Sequence, residues 1–189
     1  MTRQQWGARL WLVRPVYFLV ELVVAAAAVR YSFVDDTVSD LGAVLTSPWH
    51  LLMNAAFVGF GLLMALGAVL LAGRFGAGVT VLLVVSGASS AAVGLVPVDV
   101  HPGLHVVVAA PVFVAQPLAL VLLGRRTRTP ALVLAGVVSL LAGVGFLGLD
   151  LTHGSGAIER LALWPTFVAL ALLAHRELGA DRRAGPSGR

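Results

Sequence analysis

The sequence contains no cysteine and no lysine, and charged side chains of any kind are scarce. Without cysteine the chain forms no disulfide bond, no thiolate metal site and no cysteine nucleophile. Without lysine all thirteen Lys or Arg positions are arginine, which stays charged and does not titrate near neutral pH. Charged residues make up 12% of the chain, about half of the roughly 25% that is usual in soluble domains. This shortage excludes an ordinary soluble fold.

Hydrophobic residues make up 59% of the chain, and its mean hydropathy is +0.94. They are concentrated in six runs, each near the ~20 residues that a helix needs to cross a bilayer. The runs cover residues 15–34, 48–72, 77–96, 104–123, 130–149 and 157–174. We therefore predict an all-α integral membrane bundle of six transmembrane helices. Small residues at spacings of four, such as Ser86, Ser90 and Gly94, further predict that the third and fifth helices are central in it.

The arginines are distributed unevenly between the two ends of these runs. Eleven of the thirteen, Arg14 included, fall on one side of the predicted bundle, and only Arg30 and Arg160 fall on the other. The positive-inside rule places the arginine-rich side in the cytoplasm. We expect a cytoplasmic N-terminal segment 1–14, a transmembrane domain 15–174 and a cytoplasmic disordered tail 175–189, in a plasma membrane. Arginines at helix ends indicate membrane topology and no nucleic-acid partner.

Acidic residues and histidines fall mainly on the opposite, outer side. They include Asp35, Asp36, Asp40, Asp99, His101, His105, Asp150, His153 and Glu159. The connection at residues 97–103 is short, so its ionisable side chains lie at the membrane surface or within the helix ends. Ionisable groups at that depth are costly and usually have partners or a function. The pattern predicts an outward-facing polar pocket.

Two interpretations of this polar set differ in their chemistry. His101 and His105 have the i, i+4 spacing of many metal ligands, and with Asp99 and Asp40 they are candidate ligands for a zinc ion. Bound zinc would activate a water for hydrolysis of a lipid amide or ester. Alternatively, Arg160 pairs with Asp40 or Asp99 in a hydrogen-bonded network, which is either structural or lines a site for a lipid headgroup.

Several short motifs resemble one known family. They are residues 37–42 (TVSDLG), Ser47-Pro48-Trp49 with Asn54, residues 94–97 followed by Asp99 and His105, and Gly156 followed by Glu159-Arg160-Leu161. In this order they are similar to the bacterial membrane family called domain of unknown function 998, over nearly the whole chain. The resemblance implies six membrane helices and no particular activity. It singles out Ser39, Asp40, Asn54, Asp99, His105, Glu159 and Arg160, and it does not include His101.

Three functional hypotheses remain open at this stage. The first is a pocket that binds a lipid or small amphiphile through the seven residues that the resemblance singles out. The second is a metal-dependent hydrolase whose catalytic candidates are Asp40, Asp99, His105 and Glu159. The third is a structural or accessory membrane subunit whose polar cluster is an internal plug.

Overall fold

The computed structural model describes residues 1–149 and 153–183, so Asp150 and residues 184–189 of the expected tail lie outside it. Within the described part, six helical spans are long and apolar enough to cross a membrane. They are Arg3–Ala27, His50–Leu70, Ala77–Leu95, Pro102–Arg126, Pro130–Gly148 and Ser155–Gly179. The described residues form no β-strand. The prediction of an all-α bundle with six membrane helices is confirmed.

The described residues form eight α-helices, which are numbered here in chain order. They are α1 (Arg3–Leu12), α2 (Val16–Ala27), α3 (His50–Leu70), α4 (Ala72–Phe75), α5 (Ala77–Leu95), α6 (Pro102–Arg126), α7 (Pro130–Gly148) and α8 (Ser155–Arg183). A short 3-10 helix, Ser39–Gly42, lies in the connection between α2 and α3. The first span consists of α1 and α2 and is interrupted before Pro15, whose missing N–H leaves the helical ladder incomplete.

The first span lies closer to the N-terminus than the predicted run 15–34, since it ends at Ala27, and the last helix is longer than the sequence predicts. The first span begins at Arg3 because Thr2 and Gln5 form a reciprocal capping box there. Trp11 is fully buried in this segment and donates its indole N–H to the Met64 carbonyl at 3.1 Å. At the other end, α8 continues past residue 174 to Arg183. Residues 3–12 are therefore packed helix, although composition favours a polar flank.

The spans form a closed ring in cross-section. Helix α3 packs on α5, α5 on α6, α6 on α7 and α7 on α8, while α1 closes the ring against α3 and α8. Helices α3 and α5 approach closely at a pair of glycines, since a Cβ added to Gly61 would lie 2.5 Å from the Gly87 carbonyl oxygen. The expectation that the third and fifth spans are central is wrong. The sixth span is the most buried, because both α1 and α7 cover α8.

The two ends of the bundle differ in chemistry. One end, called here the loop end, carries the α2–α3, α5–α6 and α7–α8 connections; the other is called the arginine end. Buried residues toward the arginine end are almost entirely apolar and include Trp11, Met64, Leu83, Leu120 and Leu170. Buried polar side chains concentrate toward the loop end. Apolar packing therefore separates the buried polar side chains from the arginine end.

Candidate functional site

The α2–α3 connection folds over the loop end and is ordered by its own aspartates. Asp36 accepts a hydrogen bond from the Ser32 amide at 2.7 Å. Asp40 accepts from both the amide and the hydroxyl of Thr37, each at 2.7 Å. Asp40 is one of the candidate site residues, and the structure places its carboxylate in a local turn. It holds the 3-10 helix in position, and that helix presents Ser39 to the interior.

Glu159 joins this connection to α8. Its carboxyl group is buried and accepts the Val38 amide at 2.5 Å through Oε2. Its Oε1 lies 3.3 Å from the Ser39 hydroxyl oxygen. Glu159 therefore contacts the loop backbone and one hydroxyl, both about 120 positions away in sequence.

His105 completes a three-residue chain through the same serine. Its Nε2 lies 3.1 Å from Ser39 Oγ, and its Nδ1 lies 2.6 Å from the Val96 carbonyl oxygen. A carbonyl oxygen only accepts, so Nδ1 carries a proton and donates it. In a neutral ring Nε2 then accepts the Ser39 hydroxyl proton, and Glu159 in its protonated form donates to Ser39. In the alternative arrangement His105 is an imidazolium that donates from Nε2 to Ser39, and Ser39 donates to an ionised Glu159.

Arg160 is the centre of a second network at the loop end. Its Nε donates to Glu21 Oε1 at 2.9 Å, and both side chains are almost fully buried. Its NH1 donates to the carbonyl oxygens of Phe33 and Asp36 at 2.8 and 2.9 Å. Its NH2 donates to the hydroxyl of Tyr31. Arg160 was expected to pair with Asp40 or Asp99; this is wrong, because Glu21 faces it directly across the α2–α8 contact.

The Tyr31 phenol is tied to the same network. Its hydroxyl donates to the Thr37 carbonyl at 2.7 Å, and burial raises the pKa of Tyr31 above its ordinary value of 10.0 despite the nearby Arg160. Tyr31 therefore stays neutral and acts as a hydrogen-bonding link between α8 and the loop.

Two further candidates hold the same connection in place at other points. Asn54 donates from Nδ2 to the Gly42 carbonyl at 2.9 Å, and a Cβ on Gly42 would clash with Asn54 Oδ1. Asp99 accepts the amides of Val44 and Leu45 at 3.0 and 2.7 Å. Asn54 and Asp99 therefore both hold the α2–α3 connection in place. These contacts do not bring either side chain into the Ser39–His105–Glu159 chain.

The metal candidates are not gathered into one site. His101 is exposed at the start of α6, whereas His105 is buried and bonded as described. His153 is exposed too and lies 3.6 Å from Asp35. Among residues 1–149 and 153–183, no three side chains of His, Asp or Glu are close enough to hold a metal ion. These residues do not fit the predicted zinc, so no chemical step is assigned to one.

Arg14 and Tyr17 are site residues that sequence reasoning missed. Arg14 was expected in the cytoplasmic flank, but it lies inside the first span and is only 3% exposed. The two side chains line a cavity of about 40 Å³ together with Ser39, Glu159 and others. The signal was present in the sequence: Arg14, Tyr17 and Glu21 follow the i, i+3, i+7 spacing of one helix face.

A larger apolar groove of about 710 Å³ runs along the surface between α7 and α8. Its walls near the loop end include Phe33, Ala157, Arg160 and Trp164, and near the arginine end they include Arg176. The groove and the buried network therefore share Arg160.

Six apolar spans around a buried polar cluster define a multi-pass membrane protein. The chain belongs to the family described as "Protein of unknown function (DUF998)", whose sequence profile matches residues 12–176. The family resemblance drawn from the short motifs is thereby confirmed. No curated protein and no solved structure gives a significant match.

Proposed function

We propose that this protein binds a lipid or small amphiphile in the α7–α8 groove, with the loop end facing outward. The observation that carries the proposal is that an apolar groove of about 710 Å³ ends on a buried arginine. This volume lies in the range of about 300–1,000 Å³ that ligand pockets occupy. An apolar chain fits the walls, and the polar end of the same molecule meets Arg160.

Arg160 has one hydrogen-bond donor left for such a ligand. A guanidinium has five N–H donors, and four of them are directed to Glu21, Tyr31 and the carbonyls of Phe33 and Asp36. The remaining NH2 hydrogen favours a polar end with an acceptor oxygen, such as a carboxylate, phosphate or ester.

The arginine distribution supports the proposed orientation. Apart from the buried Arg14, nine of the eleven arginines assigned to one side lie at the arginine end within the part of the chain that the structure describes. The positive-inside rule then places that end in the cytoplasm, with both termini. The polar cluster and the Arg160 end of the groove accordingly face outward, in a plasma membrane.

Thermal unfolding of delipidated protein tests the groove. We expect palmitate or dioleoylphosphatidylglycerol to stabilise the wild type in a saturable way, by about 2.7 kcal/mol at a hundredfold excess over Kd. Ala157→Phe places a ring in the groove beside Arg160, and it should abolish the stabilisation. Ala55→Phe is the matched control, because Ala55 is also exposed but lies on α3, away from the groove. Equal stabilisation of all three proteins would contradict the proposal.

A hydrolase is the second candidate, and the 3.1 Å contact between Ser39 Oγ and His105 Nε2 favours it. In such a reaction Ser39 Oγ attacks an acyl carbonyl while its proton passes to His105 Nε2. The imidazolium returns that proton to the leaving alkoxide, and water later releases the acyl group. The Val96 carbonyl fixes the tautomer that this step requires.

Labelling with a fluorophosphonate distinguishes this candidate from simple binding. An activated Ser39 predicts a covalent adduct that is absent in Ser39→Ala and retained in the control Ser90→Ala. Absence of an adduct in the folded wild type would reject the hydrolase and leave the binding proposal untouched.

A further inference from the structure

A buried arginine without an acidic partner lies near the middle of the first span. Arg14 donates from NH1 to the Phe60 carbonyl at 3.1 Å, and its guanidinium carbon lies 4.2 Å from the centre of the Phe167 ring. Its Nε has no hydrogen-bond partner. Among the described residues no carboxylate lies within ion-pair distance of it. A cation in apolar surroundings usually has a partner, because burying it alone is costly.

A second unpartnered donor faces the same space. Tyr17 is 3% exposed, and its hydroxyl has no partner either. Both side chains line the cavity of about 40 Å³. Arg14 lies in the turn before α2, and the Tyr17 amide donates to its carbonyl at 3.0 Å, so the two residues are one helical turn apart. A cavity needs about 10–15 Å³ to hold one water, so this one admits a small ion with a water but no acyl chain.

The other buried ionisable groups already have polar partners. Arg160 and Glu21 form an ion pair of zero net charge. Glu159 lines the same cavity as Arg14, but its carboxyl group is bonded to the Val38 amide and lies beside the Ser39 hydroxyl, which also contacts His105. Within the described residues, the guanidinium of Arg14 is the buried charge that has no ion-pair partner.

We propose that this cavity binds a small monovalent anion of the halide class, held between Arg14 Nε–H and the Tyr17 hydroxyl. Water alone would satisfy the two donors but would leave the charge unbalanced. An anion accepts hydrogen bonds from both donors and also balances the charge of Arg14. The low-dielectric interior strengthens the attraction between the two charges. The site is separate from the α7–α8 groove and does not depend on the function proposed for it.

The test is a titration of the detergent-purified protein, transferred first into sodium gluconate. Chloride and bromide are added at constant ionic strength, while the unfolding temperature and the heat of binding are measured. We expect saturable binding with a stoichiometry near one, and a rise in the unfolding temperature that gluconate, too large for the cavity, does not produce. Identical behaviour in chloride, bromide and gluconate would mean that only water occupies the cavity and would overturn the proposal.

Two variants locate the site. Tyr17→Phe removes one donor without changing charge, and it should weaken halide binding about tenfold. Arg14→Gln should abolish binding. Arg9→Gln, which removes an exposed arginine from the neighbouring α1, is the control and should bind as the wild type does. If Arg14→Gln does not fold, the wild type and Tyr17→Phe still decide, since equal halide affinity in these two would contradict the assignment.

Discussion

Replacement of Glu21 by Gln tests the buried ion pair that joins α2 to α8. Glu21 is 1% exposed and Arg160 is 4% exposed, with 2.9 Å between Nε and Oε1. Removing one member of such a pair costs about 3–5 kcal/mol, because the other charge stays buried without compensation. Gln keeps the size of Glu and still accepts a hydrogen bond through its amide oxygen. We therefore expect about 3 kcal/mol, at the lower end of that range.

Replacing the other member of the pair, Arg160, separates the effect of the buried charge from the effect of the lost hydrogen bonds. Arg160→Met removes the guanidinium donors from the carbonyls of Phe33 and Asp36, and each lost bond costs about 1 kcal/mol. The double variant with Glu21→Gln buries no net charge at this contact. It should therefore be more stable than the sum of the two single changes predicts, with a coupling energy of about 2 kcal/mol.

The assay is unfolding in mixed micelles by increasing fractions of sodium dodecyl sulfate, followed by tryptophan fluorescence. Glu177→Gln is the matched control, because Glu177 pairs with Arg74 at the surface, where such pairs contribute about 0–1 kcal/mol. If Glu21→Gln lowers the free energy of unfolding no more than this control does, the reasoning about a buried charge is refuted.

Two further predictions concern helix packing and pH. Gly61→Ala should lower the free energy of unfolding by about 1–3 kcal/mol, because its Cβ would lie 2.5 Å from a carbonyl oxygen of α5. Gly59→Ala on the same helix is the control, since its Cβ would meet nothing within 4 Å. An equal loss of stability in both variants would contradict this prediction. For Asp99, partial burial raises the pKa, but the amides of Leu45 and Val44 outweigh it and leave the pKa below its ordinary 3.8. Stability from this carboxylate is therefore present above its unfolded-state pKa and is lost as the pH falls through the lower folded value. Asp99→Asn should remove this component of acid unfolding, and an unchanged acid limb of the stability curve would contradict the assignment.

The membrane fold could be predicted from the sequence because hydrophobic length is set by the bilayer. The six runs correspond to six spans, and the family motifs lie at their loop ends. Helix boundaries were less predictable. Residues 3–12 look like a polar flank, but the Thr2–Gln5 capping box and burial of Trp11 make them part of the first span.

The sequence indicates on which side of the bundle the candidate side chains lie, but it does not indicate which of them pair. The structure connects three candidates from the same side of the bundle, Ser39, His105 and Glu159. Arg160, by contrast, pairs with Glu21 and not with the expected Asp40 or Asp99. Pairing depends on how far each side chain lies below the helix end, and hydropathy does not encode that depth. Arg14 shows the same limit, since its position beside Pro15 looks like a helix start in sequence and is mid-span in three dimensions.

Native mass spectrometry of the protein released from its own membrane tests the central proposal most directly. The account predicts that the wild type and Ala55→Phe retain one bound amphiphile, and that Ala157→Phe has the bare protein mass. A bare mass for the wild type under gentle detergent removal, or equal retention of the amphiphile by Ala157→Phe, would contradict binding in the α7–α8 groove.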